Sequence, residues 1–244
     1  MTYTVQYLDE IDSTNTYCKK LAREGAPGGT VIIAAHQTGG RGRLGRRFCS
    51  PRGTGLYASV LLRPEWDTET LQLVTACAAA AAARAVDSLC GVHTQIKWVN
   101  DLFLGGRKLC GILTEAGFTP AGGIDYVVVG IGINLRDTRG AFPEELHAIV
   151  TSIEEETGCI LTPEQMAKAL LCELDKALSA LPDRGFLEEY RERSVLLGKD
   201  VTVQAGGAVY IARAVEIDDR AGLVVERPDG SRQTLTSGEV SVRL

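Results

Sequence analysis

Gln95 to Leu135 reads QIKWVNDLFLGGRKLCGILTEAGFTPAGGIDYVVVGIGINL, and this stretch decides the fold. Four runs rich in β-formers, Gln95 to Val99, Leu102 to Leu104, Lys108 to Glu115 and Tyr126 to Leu135, are separated by Asn100-Asp101, Gly105-Gly106 and Gly122-Gly123. Connections this short join antiparallel neighbours, because a parallel pair needs a much longer crossover. Working outward, Tyr3 to Leu8 alternates in polarity, and Asp12-Ser13-Thr14-Asn15 offers capping side chains to a helix that stops at Gly25. Thr30 to Ala35 and Leu56 to Arg63 add two further strands. Thr68 to Leu89, alanine at every position from 78 to 83, predicts a helix smooth enough to lie close on a sheet. Downstream, Thr162-Pro163-Glu164-Gln165 is a capping box with proline at the first helical position, opening a helix through Leu181, and a second helix lies around Phe186 to Val195. After Gly198 come only short alternating runs broken by Gly206-Gly207, Asp218-Asp219, Pro228-Asp229-Gly230 and Ser237-Gly238. The expectation is an α+β unit over residues 1–195 and a small β-barrel over 196–244.

Composition narrows the function classes. The chain has 244 residues, 45% hydrophobic and 23% charged, with a formal net charge of -5, enough to bury a sizeable core and too acidic for a surface built throughout for nucleic acid. The longest uncharged apolar stretch, Leu71 to Ala83, is too short and too rich in alanine to span a bilayer, and no export signal opens the chain, so no membrane partner and a cytoplasmic location are expected. The seven cysteines are odd in number and form no C-x-x-C pair, which favours reduced thiols over a disulfide framework or a zinc site.

Three segments carry chemistry. Gln37 to Arg47 holds four glycines and four arginines with no acidic residue, a combination that lets backbone approach a ligand while forked donors meet carboxylate or phosphate oxygens. Its bland alternative is a solvated basic loop or a nucleic-acid patch. Lys97-Trp98-Val99-Asn100-Asp101, with Lys108 shortly after, places charged groups around a tight turn, which is equally what an ordinary Asn-Asp hairpin would show. Gly130 and Gly132 alternate with isoleucines in an apolar strand, where glycine is costly unless a flat ligand or a close crossing needs the room.

Together, Asp12 to Asn15, Gln37 to Arg46, Lys97 to Leu102, Lys108 to Leu113 and Gly130 to Leu135 occur in the order and approximate spacing of the biotin protein ligases, which the sequence resembles over essentially its whole length. The end of the chain, Gly238 to Arg243, resembles that family's last strand. The resemblance implies a class II synthetase-like mixed β-sheet with packed helices followed by an SH3-like barrel. It also implies no DNA-binding module, since the ligand-site motif begins at residue 12. The implied reaction joins biotin and ATP to biotinyl-5'-AMP, with Mg²⁺ accompanying the nucleotide, and then transfers biotin to a lysine of a biotin carboxyl carrier domain such as that of acetyl-CoA carboxylase. Monomer and homodimer both remain open.

By motif match, Arg43 and Lys108 hold the biotin carboxylate and then the adenylate phosphate, while Arg41 and Arg46 order the loop and neutralise phosphate charge. Ser13, Thr14, Asn15 and Gln37 meet the ureido ring; Gly42, Gly111, Ile112, Gly130 and Gly132 line its slot. Phe48, standing where many relatives have a tryptophan packed on the adenine, stacks there in its place; Asn134 meets the nucleotide or its metal; Arg243 reaches toward phosphates or the carrier. Asp101 is the candidate base for the carrier lysine, its alternative being a turn residue or a partner of Lys97. Val99 and Cys110 are two further departures from the family pattern, and neither removes a reactive group. The nearest alternative is a lipoate or octanoate ligase, disfavoured because polar groups at 13–15 and 37 would be left unpaired against an aliphatic acid. A nucleic-acid-binding protein and an inactive biotin sensor are the alternatives from other classes.

Overall fold

The computed structural model describes residues 1–137, 139–205 and 207–242. The stretch quoted above forms β4 (Gln95–Lys97), β5 (Asp101–Leu104), β6 (Arg107–Phe118) and β7 (Ile124–Asn134), paired antiparallel in chain order as the short turns require. β4 stops at Lys97, so the turn spans Trp98 to Asn100. The remaining strands of the sheet are β1 (Thr4–Ile11), β2 (Thr30–Gln37) and β3 (Gly55–Leu62). The order is β1-β2-β3-β7-β6-β5-β4. β1 and β2 run parallel, joined through α1 (Thr14–Arg23), which makes the sheet mixed.

Helices cover the sheet. Ser13 caps α1, its hydroxyl accepting from the Thr16 amide. α2 (Thr68–Cys90) starts at Asp67, whose carboxylate accepts from Thr70, and ends at Gly91 in the left-handed region, as helix ends prefer. Alanines 78–83 of α2 are wholly buried in the main core. On length and composition alone α2 could cross a membrane, which corrects the reading based on its uncharged segment. Its burial within the protein gives that apolar character a different cause. α3 (Ile153–Thr157) is a short turn of helix with no sequence expectation behind it. α4 (Pro163–Ser179) opens with the reciprocal Thr162–Gln165 capping box, and α5 (Phe186–Glu192) follows.

β8 (Asp200–Ala205), β9 (Ala208–Ile217), β10 (Leu223–Glu226), β11 (Arg232–Leu235) and β12 (Glu239–Val242) form a second, antiparallel sheet in the order β11-β10-β9-β8-β12. Its inner residues Ala212, Ala214, Leu223 and Val225 share one core with the larger sheet's helices. Two polar ties reinforce that packing: the Trp98 indole N–H donates to the Ala221 carbonyl at 2.8 Å, and Arg191 donates to the Ile217 carbonyl at 2.7 Å. The Trp98–Asn100 turn is thereby fixed from outside its own hairpin. Tyr190 fixes it again, donating to the Val99 carbonyl at 3.0 Å.

Candidate active site

A cavity of about 390 Å³ opens where α1, the loop after β2, the β4–β5 turn and the facing parts of β6 and β7 converge. Its floor is a hydrogen-bonded chain. The Thr14 amide donates to Gln37 Oε1 at 2.8 Å, Gln37 Nε2 donates to the Ser50 hydroxyl at 2.9 Å, and Ser50 donates to the Phe48 carbonyl at 3.1 Å. Ser59, buried in β3, has its hydroxyl 2.6 Å from Asn15 Oδ1 and 2.8 Å from Thr14 Oγ1. Asn15 Nδ2 donates to the Leu113 carbonyl at 3.1 Å and to Glu115 Oε2 at 3.0 Å. The Glu115 carboxylate is also paired with Lys19. Burial alone would raise the Glu115 carboxyl, yet hydrogen bonds from Lys19 and Asn15, with the charges of Lys19 and Arg41, outweigh it and hold the group below its ordinary value. Both ends of the Asn15 amide are therefore engaged by protein. Thr14 and Gln37 face the cavity with Asn15, whereas Ser13 serves as the α1 cap and does not line it.

The basic loop folds as a narrow hairpin. Arg41 and Arg47 bridge across it, and the Gly42 amide donates to the Arg46 carbonyl at 2.8 Å. Gly40 is required here because a Cβ would lie 2.3 Å from the Phe48 carbonyl oxygen. The hairpin brings Arg41, Gly42, Arg43 and Arg46 to the cavity. Arg43 Nη1 donates to Asn100 Oδ1 at 3.2 Å; Asn100 Nδ2 donates to Asp101 Oδ1 at 3.0 Å; Lys108 Nζ pairs with the same Asp101 oxygen at 2.7 Å. Asp101 is thus the partner of Lys108. The Lys97 ammonium instead lies 5.7 Å from the Phe103 ring centre.

Gly111, Gly130 and Gly132 line the cavity, and protein side chains already lie against them. A Cβ on Gly132 would sit 2.4 Å from the Phe48 ring and one on Gly111 would sit 3.0 Å from it, so the flat group packed on these positions is the protein's own Phe48. The ring meets Tyr57 edge-on with centroids 6.5 Å apart. One side of Phe48 is spent on the sheet, which narrows its expected role in stacking on the nucleobase. Gly130 makes room for Asn15 in the same way, with Oδ1 2.0 Å from where a Cβ would be. Ile112 lines the cavity beside these glycines.

The outer wall comes from Phe142, Leu146, Ile149 and Val150, with Gly238 just before β12 and Val240 within it. Asn134 lies beneath it: Nδ2 donates to the Thr151 carbonyl at 2.9 Å, while Oδ1 is buried with no partner. A buried acceptor left in that state is suited to receive a ligand donor or a cation. Among the described residues no cluster of three His, Cys, Asp or Glu side chains could hold a metal by itself. Arg243 lies outside the described residues. Sequence reasoning did not reach Ser50, Ser59, Asn100 as the Arg43 acceptor, or Glu115. The contacts that tie them to Gln37, Asn15 and Arg43 span 13 to 100 residues, and the local signal was a glutamate within a run of β-formers.

A mixed sheet whose cavity sets a neutral hydrogen-bonded floor beside a cationic centre, joined to a small antiparallel sheet, is arranged to hold a ligand with a neutral polar end and an anionic end. Residues 7–134 match the Biotin/lipoate A/B protein ligase family, and residues 196–243 match the Biotin protein ligase C terminal domain. The chain belongs to the biotin/lipoate A/B protein ligase family. It is similar to the biotin--[acetyl-CoA-carboxylase] ligase of Paracoccus denitrificans, 33% identical over 96% of this chain and 98% of that protein. It is also similar to the bifunctional ligase/repressor BirA of Bacillus subtilis, 30% identical over 93% of this chain and 70% of that protein. The solved biotin protein ligase from Aquifex aeolicus in complex with biotin and ATP superposes with a TM-score of 0.82 at 28% identity, covering 98% of each chain.

Proposed function

We propose that this chain is an ATP-dependent biotin protein ligase that forms biotinyl-5'-AMP and passes the biotinyl group to a lysine of a biotin carboxyl carrier domain such as that of acetyl-CoA carboxylase. The observation that carries this reading is one cavity holding both the neutral Thr14–Gln37 floor and the Arg43–Asn100–Asp101–Lys108 cluster. A ureido ring is neutral and needs a few fixed donors and acceptors, whereas a carboxylate approaching a triphosphate needs cations. Similarity to a biotin--[acetyl-CoA-carboxylase] ligase supports the carrier, and similarity to a ligase solved with biotin and ATP supports the substrates.

In the first step a biotin carboxylate oxygen attacks the α-phosphorus and pyrophosphate departs. Arg43 and Lys108 screen the repulsion between the two anions, and Arg41 and Arg46 add to the field. Thr14, Gln37 and Ile112 meet the biotin ring, with Asn15 holding that floor in place. The unpartnered Asn134 Oδ1 is the protein oxygen that would hold a Mg²⁺ ion, which would neutralise triphosphate charge. In the second step the carrier amine attacks the acyl carbon and AMP leaves. A free lysine titrates near about 10.4, so it must lose a proton on arrival. As Lys108 turns to the incoming anion its hold on Asp101 weakens, which frees a carboxylate oxygen to take that proton. Replacement Asp101→Asn is expected to slow transfer about 10²-fold, within the range for a general base, and adenylate formation less. Equal loss in single-turnover assays of the two steps would remove Asp101 from this role.

The same reading divides the chain into a catalytic unit over 1–195 and a C-terminal unit over 196–244, supported by the separate sheets. It places the enzyme in the cytoplasm, supported by cysteines that are all free. The deciding test is pyrophosphate release from ATP·Mg²⁺ with biotin, with lipoate or with no acid, alongside the mass of an added carrier domain. Release that needs biotin, with a matching gain in carrier mass, is the expected result. Dependence on lipoate would move the substrate, and silence with both acids would overturn the reading.

A further inference from the structure

We infer that Arg107 is a positioning residue that latches segment 142–151 onto the strand carrying Lys108 and thereby sets how tightly the nucleotide half of the cavity holds its ligand. The inference rests on the ligase reading for what occupies the cavity, and on contacts alone for the latch.

Arg107 opens β6 and is followed directly by Lys108. Its guanidinium fans out over four acceptors: Nη1 donates to the Val150 carbonyl at 3.2 Å, to the His147 carbonyl at 3.4 Å and to Glu155 Oε2 at 3.2 Å, and Nη2 donates to Glu156 Oε1 at 2.6 Å. The Thr151 hydroxyl donates to the same Glu156 oxygen at 2.7 Å. Glu156 reaches this position by lying against Gly105 in the β5–β6 turn, its Oε2 2.1 Å from where a Cβ would stand. A planar fork can serve several acceptors at fixed angles; a lysine ammonium on a flexible stem cannot.

What the fork holds bears on the cavity. The Lys108 amide donates to the Ile149 carbonyl at 2.8 Å and the Thr151 amide donates to the Lys108 carbonyl at 2.9 Å, so segment and Lys108 share one stretch of main-chain pairing. The Thr151 carbonyl then accepts from the Asn134 amide. Phe142, Leu146, Ile149 and Val150 of this segment form the outer wall. The Thr14–Gln37 floor, by contrast, is braced by Ser50 and Ser59 and, through Asn15, by Leu113 and Glu115. The two halves of the site are therefore anchored separately, and the latch belongs to the half with Lys108 and Asn134. With biotin on the floor, the latched half is the one left for the nucleotide.

Arg107→Ala and Arg107→Lys are expected to raise the KM for ATP about tenfold or more, while the biotin Kd measured calorimetrically without nucleotide stays within about twofold. Guanidinium ion at millimolar concentration should restore part of the ATP KM in Arg107→Ala and none in Arg107→Lys. Limited chymotrypsin digestion should cut both variants faster than the unsubstituted protein at Phe142 or Leu146. Equal weakening of biotin and ATP would mark general destabilisation and overturn the inference, as would an unchanged ATP KM with unchanged digestion. If the unsubstituted protein releases no pyrophosphate with biotin, the ligase reading fails, and the digestion arm still decides whether Arg107 holds the segment.

Discussion

Replacing Lys108 with alanine is expected to lower the rate of biotin-dependent adenylate formation about 10³-fold, the upper range for loss of one preorganised group that meets developing charge. The size follows from what the substitution leaves behind. Lys108 and Asp101 form an ion pair at 2.7 Å, both side chains roughly a quarter exposed, with Asn100 donating to the same carboxylate oxygen. Removing the ammonium deletes an attraction for the carboxylate and phosphate and also uncovers an anion beside them, so attraction becomes repulsion. Two unit charges about 4 Å apart interact by about 4 kcal/mol at an effective dielectric of about 20, enough for either change alone to matter. This predicts a specific coupling. The Lys108→Ala, Asp101→Asn double variant should form adenylate faster than Lys108→Ala, because the stranded negative charge is gone, while remaining slow in transfer. Double-mutant analysis of pyrophosphate release measures the coupling. Additive losses would mean that Asp101 and Lys108 act independently despite their contact.

The basis for reading this cluster from sequence alone was partial, and particular residues show why. Short turns at Asn100-Asp101, Gly105-Gly106 and Gly122-Gly123 leave antiparallel pairing as the economical geometry, and β4 to β7 adopt it. The capping box at Thr162 is equally local and equally legible. The parallel pairing of β1 with β2 was not expected from the strands themselves, because it depends on where α1 returns the chain. Arg43, Lys108 and Asp101 stood out as residue types suited to anions, yet which cation Asp101 pairs with is set by the strand register that places Asp101 opposite Gly111 and near Lys108. Ser13 illustrates the opposite case: a motif position whose local duty as a helix cap absorbs its side chain. Phe48 and the sheet glycines were all visible, but their mutual contact depends on the loop hairpin folding back over the sheet, which no period in the sequence encodes.

Gly130→Ala should destabilise the protein by about 2 to 4 kcal/mol, a shift of roughly 4 to 16 °C in Tm for a chain of this size, and abolish measurable biotin binding. A Cβ there would stand 2.0 Å from Asn15 Oδ1, 2.8 Å from its Cγ and 3.0 Å from its Nδ2. The amide has nowhere to go without loss. Its nitrogen is committed to Leu113 and Glu115 and its oxygen to Ser59, and a buried group forced from its partner costs about 1 to 3 kcal/mol. Because Ser59 also touches Thr14, and Thr14 is bonded to Gln37, displacing Asn15 disturbs the floor as a unit. Gly132→Ala makes the control. Its Cβ would meet the Phe48 ring at 2.4 Å, but Phe48 sits on a loop and its ring can swing, so the expected stability loss is about 1 kcal/mol or less. Combining Gly130→Ala with Asn15→Ala removes the clash, and should recover stability without recovering biotin affinity, since the floor then lacks its brace. Denaturation and calorimetry on the four proteins separate these outcomes. A Gly130→Ala protein as stable as its parent would show that Asn15 is not held as its hydrogen bonds indicate.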